Sequence, residues 1–407
     1  MQNSPERACL VIADISGYTG YLAGVELDHA QDILGDLIST VVGALRPTLK
    51  LAKLEGDAAF VFMPGTEIDG SALQDIVEGC YFTFRRRLRD IAQASRCECN
   101  ACIRIPSLDL KVVAHHGTIA RQRMAGSAEL VGADVILVHR LLKNSVAVDL
   151  GLPAYVLYTE ACIAAMGIAD PAVSGLVRHV EAIEHIGEVT TWVRDLEGAW
   201  QAQLLRKRLR ITEAETFWKK ESTFDAPPAI VWEYITSPIR RPQYSNDVTS
   251  VIEMSPGGRR GAGTTNHCMH GDDAIVEEIV DWRPYEYWTT RNQFPVPGSP
   301  KVLMSDELEA LPDGRTRVVT RAGRGRTAKA RAFMIEALPI LQHAVEEATR
   351  DLAVAVADAA RDRAGDPELT VAPTLRAEPP APMPIAYPPE NGSQEPVDFG
   401  SAGSSSE

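Results

Sequence analysis

The chain has 407 residues, of which 45% are hydrophobic and 24% charged, so we expect two or three packed domains. This composition excludes a wholly disordered protein, and no apolar run is long enough to span a bilayer. The formal net charge of −14 argues against general affinity for nucleic acid or anionic membranes. Seven cysteines and no secretory signal sequence predict a reduced, cytoplasmic protein.

The first half of the chain alternates strand-like and helix-like segments, which predicts an α+β or α/β domain over residues 1–204. Its first strand is the apolar run 8–13, which ends at Asp14. The elements expected after it are a helix over 28–50, a hairpin over 50–63 with its turn at 55–57, a helix over 70–94, a strand over 109–115, a helix over 132–143 and a strand over 189–193.

A charged connector is expected over residues 205–216, and a second domain over 217–363. The second domain begins with a strand and a short helix opened by Pro227-Pro228. The elements after them are strands over 248–254, 263–270, 274–282, 286–293, 301–310 and 315–322 and a long helix over 325–362. Nine of the 26 prolines and a Gly/Ser-rich end follow, which predicts a disordered tail over 364–407.

Two aspartates of the first domain are candidate metal ligands. Asp14 ends the first strand, and Asp57 lies in the turn of the hairpin. If the two carboxylates meet, they can hold divalent cations such as Mg²⁺, which proteins bind through one or two carboxylates plus phosphate oxygens. The alternative is that both are turn-forming aspartates, because Gly-Asp is common in hairpin turns.

Four sequence blocks together resemble class III nucleotidyl cyclase domains. The first two are Ala13-Asp14-Ile15-Ser16-Gly17-Tyr18-Thr19 and Lys53-Leu54-Glu55-Gly56-Asp57. The other two are Val113-Ala114-His115-His116-Gly117 and the segment from Glu129 to Leu141. Their order and approximate spacing are those of the family, and the resemblance covers about residues 6–150. It implies a ferredoxin-like cyclase-type fold.

The resemblance also implies a role for six residues. Asp14 and Asp57 match the two metal-binding aspartates, and Ile15 would offer its backbone carbonyl to the second of two Mg²⁺ or Mn²⁺ ions. Lys53 and Glu129 match the residues that read the base. This pair suits adenine, since lysine donates to a ring nitrogen while the carboxylate accepts from the amine. Arg140 matches the catalytic arginine that stabilises the phosphate in the transition state.

Two residues depart from the family pattern. Ile136 stands where the family has an asparagine that positions the ribose, and Val113 replaces a glycine. Losing a positioning contact can cost orders of magnitude in rate. The alternatives are therefore an active cyclase and a homologue that only binds nucleotide. Because the family pairs two protomers head to tail, the resemblance also implies a homodimer in which each site takes residues from both chains.

Cys97, Cys99 and Cys102 lie within six residues. Given a fourth ligand, they could hold Zn²⁺ or an iron–sulfur cluster. They could also form a redox switch, or be incidental thiols of a loop. His115 and His116 end an apolar strand and are interpreted as structural histidines.

The second domain resembles the START-like SRPBCC superfamily, whose helix-grip fold wraps an antiparallel sheet around a long C-terminal helix. The resemblance rests on residues 224–232, on Gly261-Ala262-Gly263-Thr264-Thr265 and on the long final helix. It implies a cavity for a hydrophobic small molecule. Fold alone does not choose among the binding and catalytic roles of such domains.

The sequence thus predicts an α+β chain with a cyclase-type domain, a helix-grip domain and a disordered C-terminal tail. The expected function is conversion of ATP to cyclic AMP at a homodimer interface, with the second domain sensing a hydrophobic molecule. The alternative is an inactive cyclase homologue that acts as a nucleotide- or lipid-binding sensor or scaffold. Neither a nucleic-acid partner nor a membrane span is expected.

Overall fold

The computed structural model describes residues 4–364, except 24, 26, 95–99 and 125–126. These residues form two α+β domains, each built on one main sheet, so the fold class expected from the sequence is confirmed. Nearly all of the tail predicted over 364–407 lies outside the described residues.

The N-terminal domain contains eight strands and eight α-helices within the described residues. The strands are β1 (Glu6–Ser16), β2 (Lys50–Glu55), β3 (Ala58–Pro64), β4 (Asp109–Met124), β5 (Ser127–Val131), β6 (Tyr155–Thr159), β7 (Val177–Ile183) and β8 (Gly187–Asp195). The helices are α1 (Tyr18–Leu22), α2 (Leu27–Leu45), α3 (Gly70–Ala94), α4 (Asn100–Arg104), α5 (Ala133–Arg140), α6 (Val146–Asp149), α7 (Glu160–Ala165) and α8 (Leu196–Leu205).

The sheet of this domain has the order β2-β3-β1-β4-β6-β8-β7, and β5 pairs with β4 beyond this path. Strand β1 lies between β3 and β4, antiparallel to both, and residues 8–13 are fully buried. Val11 packs in the core formed with α2 and α3, whereas Ile12 packs on the opposite face against Val135 of α5. Burial on both faces explains why β1 reads as a continuous apolar run rather than an alternating one.

The C-terminal domain is an antiparallel sheet with the order β10-β11-β12-β13-β14-β15-β9. Its elements are β9 (Thr216–Phe224), α9 (Pro228–Thr236), β10 (Ser250–Met254), β11 (Thr265–His270), β12 (Asp273–Arg283), β13 (Tyr287–Gln293), β14 (Lys301–Ala310), β15 (Thr316–Gly323) and α10 (Ala328–Ala364). Helix α10 contains Pro339 within its length. Among the helices of the described residues, none is long and apolar enough to cross a bilayer.

A buried ionic cluster joins the two domains. Both Nη atoms of Arg259, in the loop before β11, bind Glu78 of α3 at 2.6 and 2.7 Å, and one also binds Asp75 at 3.2 Å. Glu78 accepts a further hydrogen bond from Arg194 of β8. The carboxylates of Asp75 and Glu78 are almost completely buried. Removal of one partner from such a pair leaves an uncompensated buried charge, which typically costs about 3–5 kcal/mol.

The same stretch of α3 contacts the core of the C-terminal domain. The indole N–H groups of Trp232 and Trp282 donate to the Asp75 carboxylate at 3.4 and 3.2 Å. One helical turn further on, Gly79 lies under the ring of Tyr285, and a Cβ atom at Gly79 would come within 2.5 Å of that ring. The close approach requires glycine at this position. We therefore expect the two domains to behave as one packed unit.

The pKa values of the two carboxylates predict a pH signature for this junction. Burial raises the pKa of Asp75 to about 6, above its ordinary value of 3.8, against the opposing charge of Arg259. The folded chain therefore holds this proton more tightly than the unfolded chain, so the contribution of Asp75 to stability falls as pH rises through 4 to 6. We expect Asp75→Asn to gain about 1 kcal/mol of unfolding free energy relative to wild type between pH 5 and pH 7. Urea titrations at the two pH values measure this change.

Glu78→Gln is the matched control. The pKa of Glu78 is lowered to about 2 because Arg259 and Arg194 outweigh the effect of its burial. Its contribution to stability is therefore present above about pH 4.5 and constant between pH 5 and 7. Glu78→Gln should destabilise the protein equally at both values. A difference in unfolding free energy between wild type and Asp75→Asn that is the same at both pH values would contradict the raised pKa of Asp75.

Candidate functional site

The structure brings Asp14 and Asp57 together at one end of the central sheet. Asp14 is near the end of β1, paired with Ala58 of β3 on one side. Asp57 is in the β2–β3 turn, where its backbone carbonyl accepts a 3.2 Å hydrogen bond from the Ile15 N–H. Gly56 makes this turn possible, because its φ of 66° is unfavourable for other residues. Burial, and next the negative charge of Asp14, raise the pKa of the Asp57 carboxyl.

Lys111 is a neighbour of these carboxylates that the sequence interpretation missed. The register of β4 places Lys111 directly opposite Asp14, and its ammonium lies 2.9 Å from the Asp14 carboxylate. The same ammonium donates to the carbonyl of Leu142 at 3.1 Å. Lys111 supplies one positive charge next to two carboxylates, so the group keeps a formal charge of about −1 when both are ionised.

The donor set at this end of the sheet fits a divalent cation that arrives with phosphate oxygens. Two adjacent carboxylates are ligands that Mg²⁺ takes from proteins, and a bound cation would offset the repulsion between Asp14 and Asp57, which is the second cause, after burial, of the raised pKa of Asp57. Within the described part of the chain, no group of three or more His, Cys, Asp or Glu side chains is arranged to hold a metal ion. Ile15 is buried, so only its backbone is available for the role expected of it.

Lys53 and Glu129, the expected base-reading pair, also lie close together. The Lys53 ammonium is 3.8 Å from the Glu129 carboxylate of β5 and 2.7 Å from Glu55 of its own strand. The hydrogen bond that the Lys53 ammonium donates to Glu55 raises the pKa of Lys53. Glu55 also contacts His139 of α5 at 2.9 Å, and although burial opposes the shift, Lys53 and His139 lower the pKa of Glu55. Sequence reasoning missed Glu55 and His139 because nothing in their spacing links β2 to α5.

Arg140 ends α5 with an exposed side chain whose Nη1 donates to the backbone carbonyl of Glu184 at 2.7 Å. Arg140, Lys53 and Ile136 line one cavity of about 740 Å³. A different cavity, of about 240 Å³, is lined by Ile15 and Asp57. Within one chain, Lys53 and Arg140 therefore lie on one cavity, and Ile15 and Asp57 lie on another.

The two departures from the family pattern have different environments. Ile136 is 57% exposed on the wall of the larger cavity, so it replaces a polar group where a ligand would lie. Val113 is fully buried opposite Ile12 and packs in the core beneath α5. The valine is thus a core residue.

The histidines have the structural role expected of them. His115 is buried, with its ring nitrogens 2.8 Å from the Thr159 hydroxyl and 3.1 Å from the Asp134 carboxylate. His116 bonds Arg7 and the carbonyl of Gly65.

The predicted three-cysteine site falls largely on residues outside the described ones. Cys97 and Cys99 belong to the undescribed residues 95–99, whereas Cys102 is half-buried in α4. The choice between Zn²⁺, an iron–sulfur cluster, a redox switch and incidental thiols stays a prediction.

Comparison with known proteins shows where this chain belongs. An uncharacterized protein of Mycobacterium tuberculosis, Rv2561/Rv2562, is 35% identical over 163 residues, which is 40% of this chain and 73% of the relative. The chain belongs to the family of this mycobacterial protein. The family described as "Protein of unknown function (DUF2652)" matches residues 34–150 of the chain. The family "Polyketide cyclase / dehydrase and lipid transport" matches residues 218–359, which confirms the SRPBCC domain expected in this chain.

Solved structures similar to the N-terminal domain include two nucleotidyl cyclases. The adenylyl cyclase CyaB from P. aeruginosa is 15% identical, with a TM-score of 0.37, over 48% of this chain and 97% of that chain. The guanylyl cyclase Cya2 is 13% identical, with a TM-score of 0.35, over 47% of this chain and 93% of that chain.

Proposed function

We propose that the protein is a cytoplasmic nucleotidyl cyclase that converts ATP to cyclic AMP at a homodimer interface. The observation that carries the proposal is the pair of adjacent carboxylates, Asp14 and Asp57, held where the hairpin turn is bonded to the end of β1. Turn-forming aspartates need not meet, whereas two carboxylates within reach of one cation suit a site for metal-bound triphosphate.

In this proposal Asp14, Asp57 and the Ile15 carbonyl hold the cations. Bound Mg²⁺ or Mn²⁺, two per site, would make the ribose hydroxyl more acidic and neutralise the leaving pyrophosphate. The ribose 3′-oxygen attacks the α-phosphorus, so that the O3′–P bond forms and the bond from phosphorus to the pyrophosphate oxygen breaks. The hydroxyl proton passes to solvent.

The second group of residues acts on the base and the phosphate. Lys53 donates to an adenine ring nitrogen, and Glu129, 3.8 Å from it, accepts from the adenine amine. Arg140 is exposed and bonds a neutral carbonyl rather than a carboxylate, so its full charge is available to a phosphate. Lys53 and Arg140 line one cavity and Asp57 lines another, which supports a site that takes its base- and phosphate-binding residues from one chain and its metal-binding residues from the partner chain.

The C-terminal domain is proposed to sense a hydrophobic small molecule. Support comes from its family, whose description includes lipid transport, and from the packing of α10. Between Met334 and Leu352 this helix has no buried side chain, and Ile335 and Ile340 are 67% and 75% exposed. A helix that packs loosely along its middle can move aside when a ligand enters between it and the sheet.

A second candidate is a protein that binds nucleotide without turning it over. The ion pair between Lys111 and Asp14 favours this reading, because the ammonium already occupies one face of a proposed metal ligand. Ile136 favours it as well, since it offers no hydrogen bond to a ribose.

The first test measures cyclic nucleotide formation by the full chain with ATP, GTP, CTP or UTP in Mn²⁺ and in Mg²⁺. We expect cyclic AMP from ATP. Asp57→Asn should reduce its rate at least about 100-fold through loss of a metal ligand, and Arg140→Gln by about 100- to 1,000-fold through loss of transition-state charge stabilisation. Asp149→Asn, an exposed aspartate outside both cavities, is the control. A folded dimer that binds ATP but forms no product from any nucleotide would contradict the cyclase proposal and support the second candidate, a protein that binds nucleotide without turning it over.

Mixing two inactive variants tests whether the site is shared. Equimolar Asp57→Asn and Arg140→Gln should recover up to about a quarter of wild-type activity, because about half of the dimers are mixed and each has one intact site of two. The control mixture combines Asp57→Asn with Asp14→Asn, whose lesions lie in the same group and cannot complement. Equal inactivity of both mixtures, with subunit exchange verified, would refute the shared site.

Ile136→Asn tests the departure on the cavity wall. The substitution restores an amide one helical turn before Arg140, and we expect the turnover rate to rise about tenfold or more. Ile136 is exposed, so the change should cost little stability. Ile136→Ala removes the same apolar side chain without adding the amide and serves as the control. Equal rates in the two variants would show that no ribose contact is missing.

A further inference from the structure

We propose that a cavity at the junction of the two domains binds a small organic anion with an apolar body. This junction cavity has a volume of about 330 Å³, within the range of small-molecule sites. Its wall includes Arg194 and Arg206 from the N-terminal side, and Arg259, Arg260 and Trp282 from the C-terminal domain. It shares no lining residue with the cavity of Lys53 and Arg140, so ligand binding in the junction cavity does not depend on the proposed cyclase activity.

The charges on the wall favour an anion. Four arginines and one carboxylate, Glu78, line the cavity of a chain whose formal net charge is −14. Arg260 is held by Asp69 at 3.2 Å and by Glu253 at 2.5 Å, and neither carboxylate is part of the wall. Arg260 is therefore paired with carboxylates outside the wall, whereas Arg194 and Arg259 bond Glu78, the one carboxylate of the wall.

Arg206 supplies the charge that no carboxylate balances. Its side chain is exposed and has no ion-pair partner among the residues that the structure describes. Its backbone is fixed, because the carbonyl of Arg206 accepts a 2.6 Å hydrogen bond from the buried Arg283. An unpaired cation on a fixed backbone at the cavity wall is a ready partner for a carboxylate or phosphate group.

Apart from the charged side chains, the wall has two polar members, Ser174 and Gln203, and an apolar part that can contact an organic body. Phe82, Val173, Pro256, Pro284 and the ring of Trp282 also line the cavity. These groups offer apolar contact and no acceptor or donor to a small hydrated anion, apart from the indole N–H that already bonds Asp75. The ligand class is thus an anionic head on an aromatic or aliphatic body of one or two rings.

Occupancy of this cavity would couple the two domains. Glu78 and Arg259, whose ion pair joins the domains, both belong to the wall. A ligand that contacts both sides is sensitive to their relative position, so it binds one arrangement of the domains better than another.

A pair of fluorescent probes tests the site on the full chain. The anionic probe is 1-anilinonaphthalene-8-sulfonate, and the neutral probe is N-phenyl-1-naphthylamine, which has the same rings without the sulfonate. We expect saturable binding of the anionic probe, weakened about three- to tenfold by Arg206→Gln, with little change for the neutral probe. Lys207→Gln makes the same charge change at the adjacent exposed residue outside the wall and should have no effect.

A second variant separates this cavity from any interior site of the C-terminal domain. Ala202→Trp places a large ring into the junction cavity from α8 and should abolish binding of the anionic probe, whereas Leu205→Trp, at an exposed position outside the wall, should not. Displacement by 1-naphthoate or by 1-naphthyl phosphate then tells whether the anionic head is a carboxylate or a phosphate. Binding of the anionic probe that is unchanged by both Arg206→Gln and Ala202→Trp would overturn the proposal, as would the absence of saturable binding.

Discussion

The position of the two domains relative to each other depends on two carboxylates of α3 that are buried against arginines. Glu78 binds Arg194 within its own domain and Arg259 of the other, so one side chain connects both sheets. Buried charges of this kind are costly unless every partner is in place, which makes the arrangement specific rather than merely stable. The tryptophans bonded to Asp75 extend this constraint into the core of the C-terminal domain. Helix α3 packs on the same sheet that carries Asp14.

The register of β1 positions the candidate site. Because β1 pairs with β3 and β4 at once, the strand brings Asp14 next to the hairpin turn on one side and to Lys111 on the other. The apolar residues of β1 are buried on both faces, so the register cannot slip without placing its carboxylate in a core. The chemistry at the end of the strand is thus fixed by packing along its length.

Sequence reasoning recovered the parts of this protein that are encoded locally. The helix–strand patterns predict both domains. Asp14, Asp57, Lys53 and Glu129 are proposed from the family resemblance, and the fold brings each pair together across segments that are distant in sequence. Sequence reasoning did not find Lys111, because a lysine in the middle of a strand pattern gives no sign of the residue that will lie across from it. Nor did it find the cluster of Glu78 and Arg259, which are 181 residues apart and belong to different domains. Glu78 reads as an ordinary polar residue of an amphipathic helix, and only the approach of a second domain makes it buried.

The ion pair of Lys111 with Asp14 connects the two functional candidates. With both aspartates ionised, the group carries about one net negative charge, which is a weak attraction for a hydrated divalent cation by itself. A nucleoside triphosphate adds several negative charges and several phosphate oxygens, so a cation is held far better once the nucleotide is present. Metal and nucleotide are then expected to bind together. Lys111, which also bonds the Leu142 carbonyl, can stay beside Asp14 as an additional cation facing the phosphates. Under the proposed function, Lys111 is therefore compatible with catalysis, and Ile136 is the stronger reason to expect slow turnover.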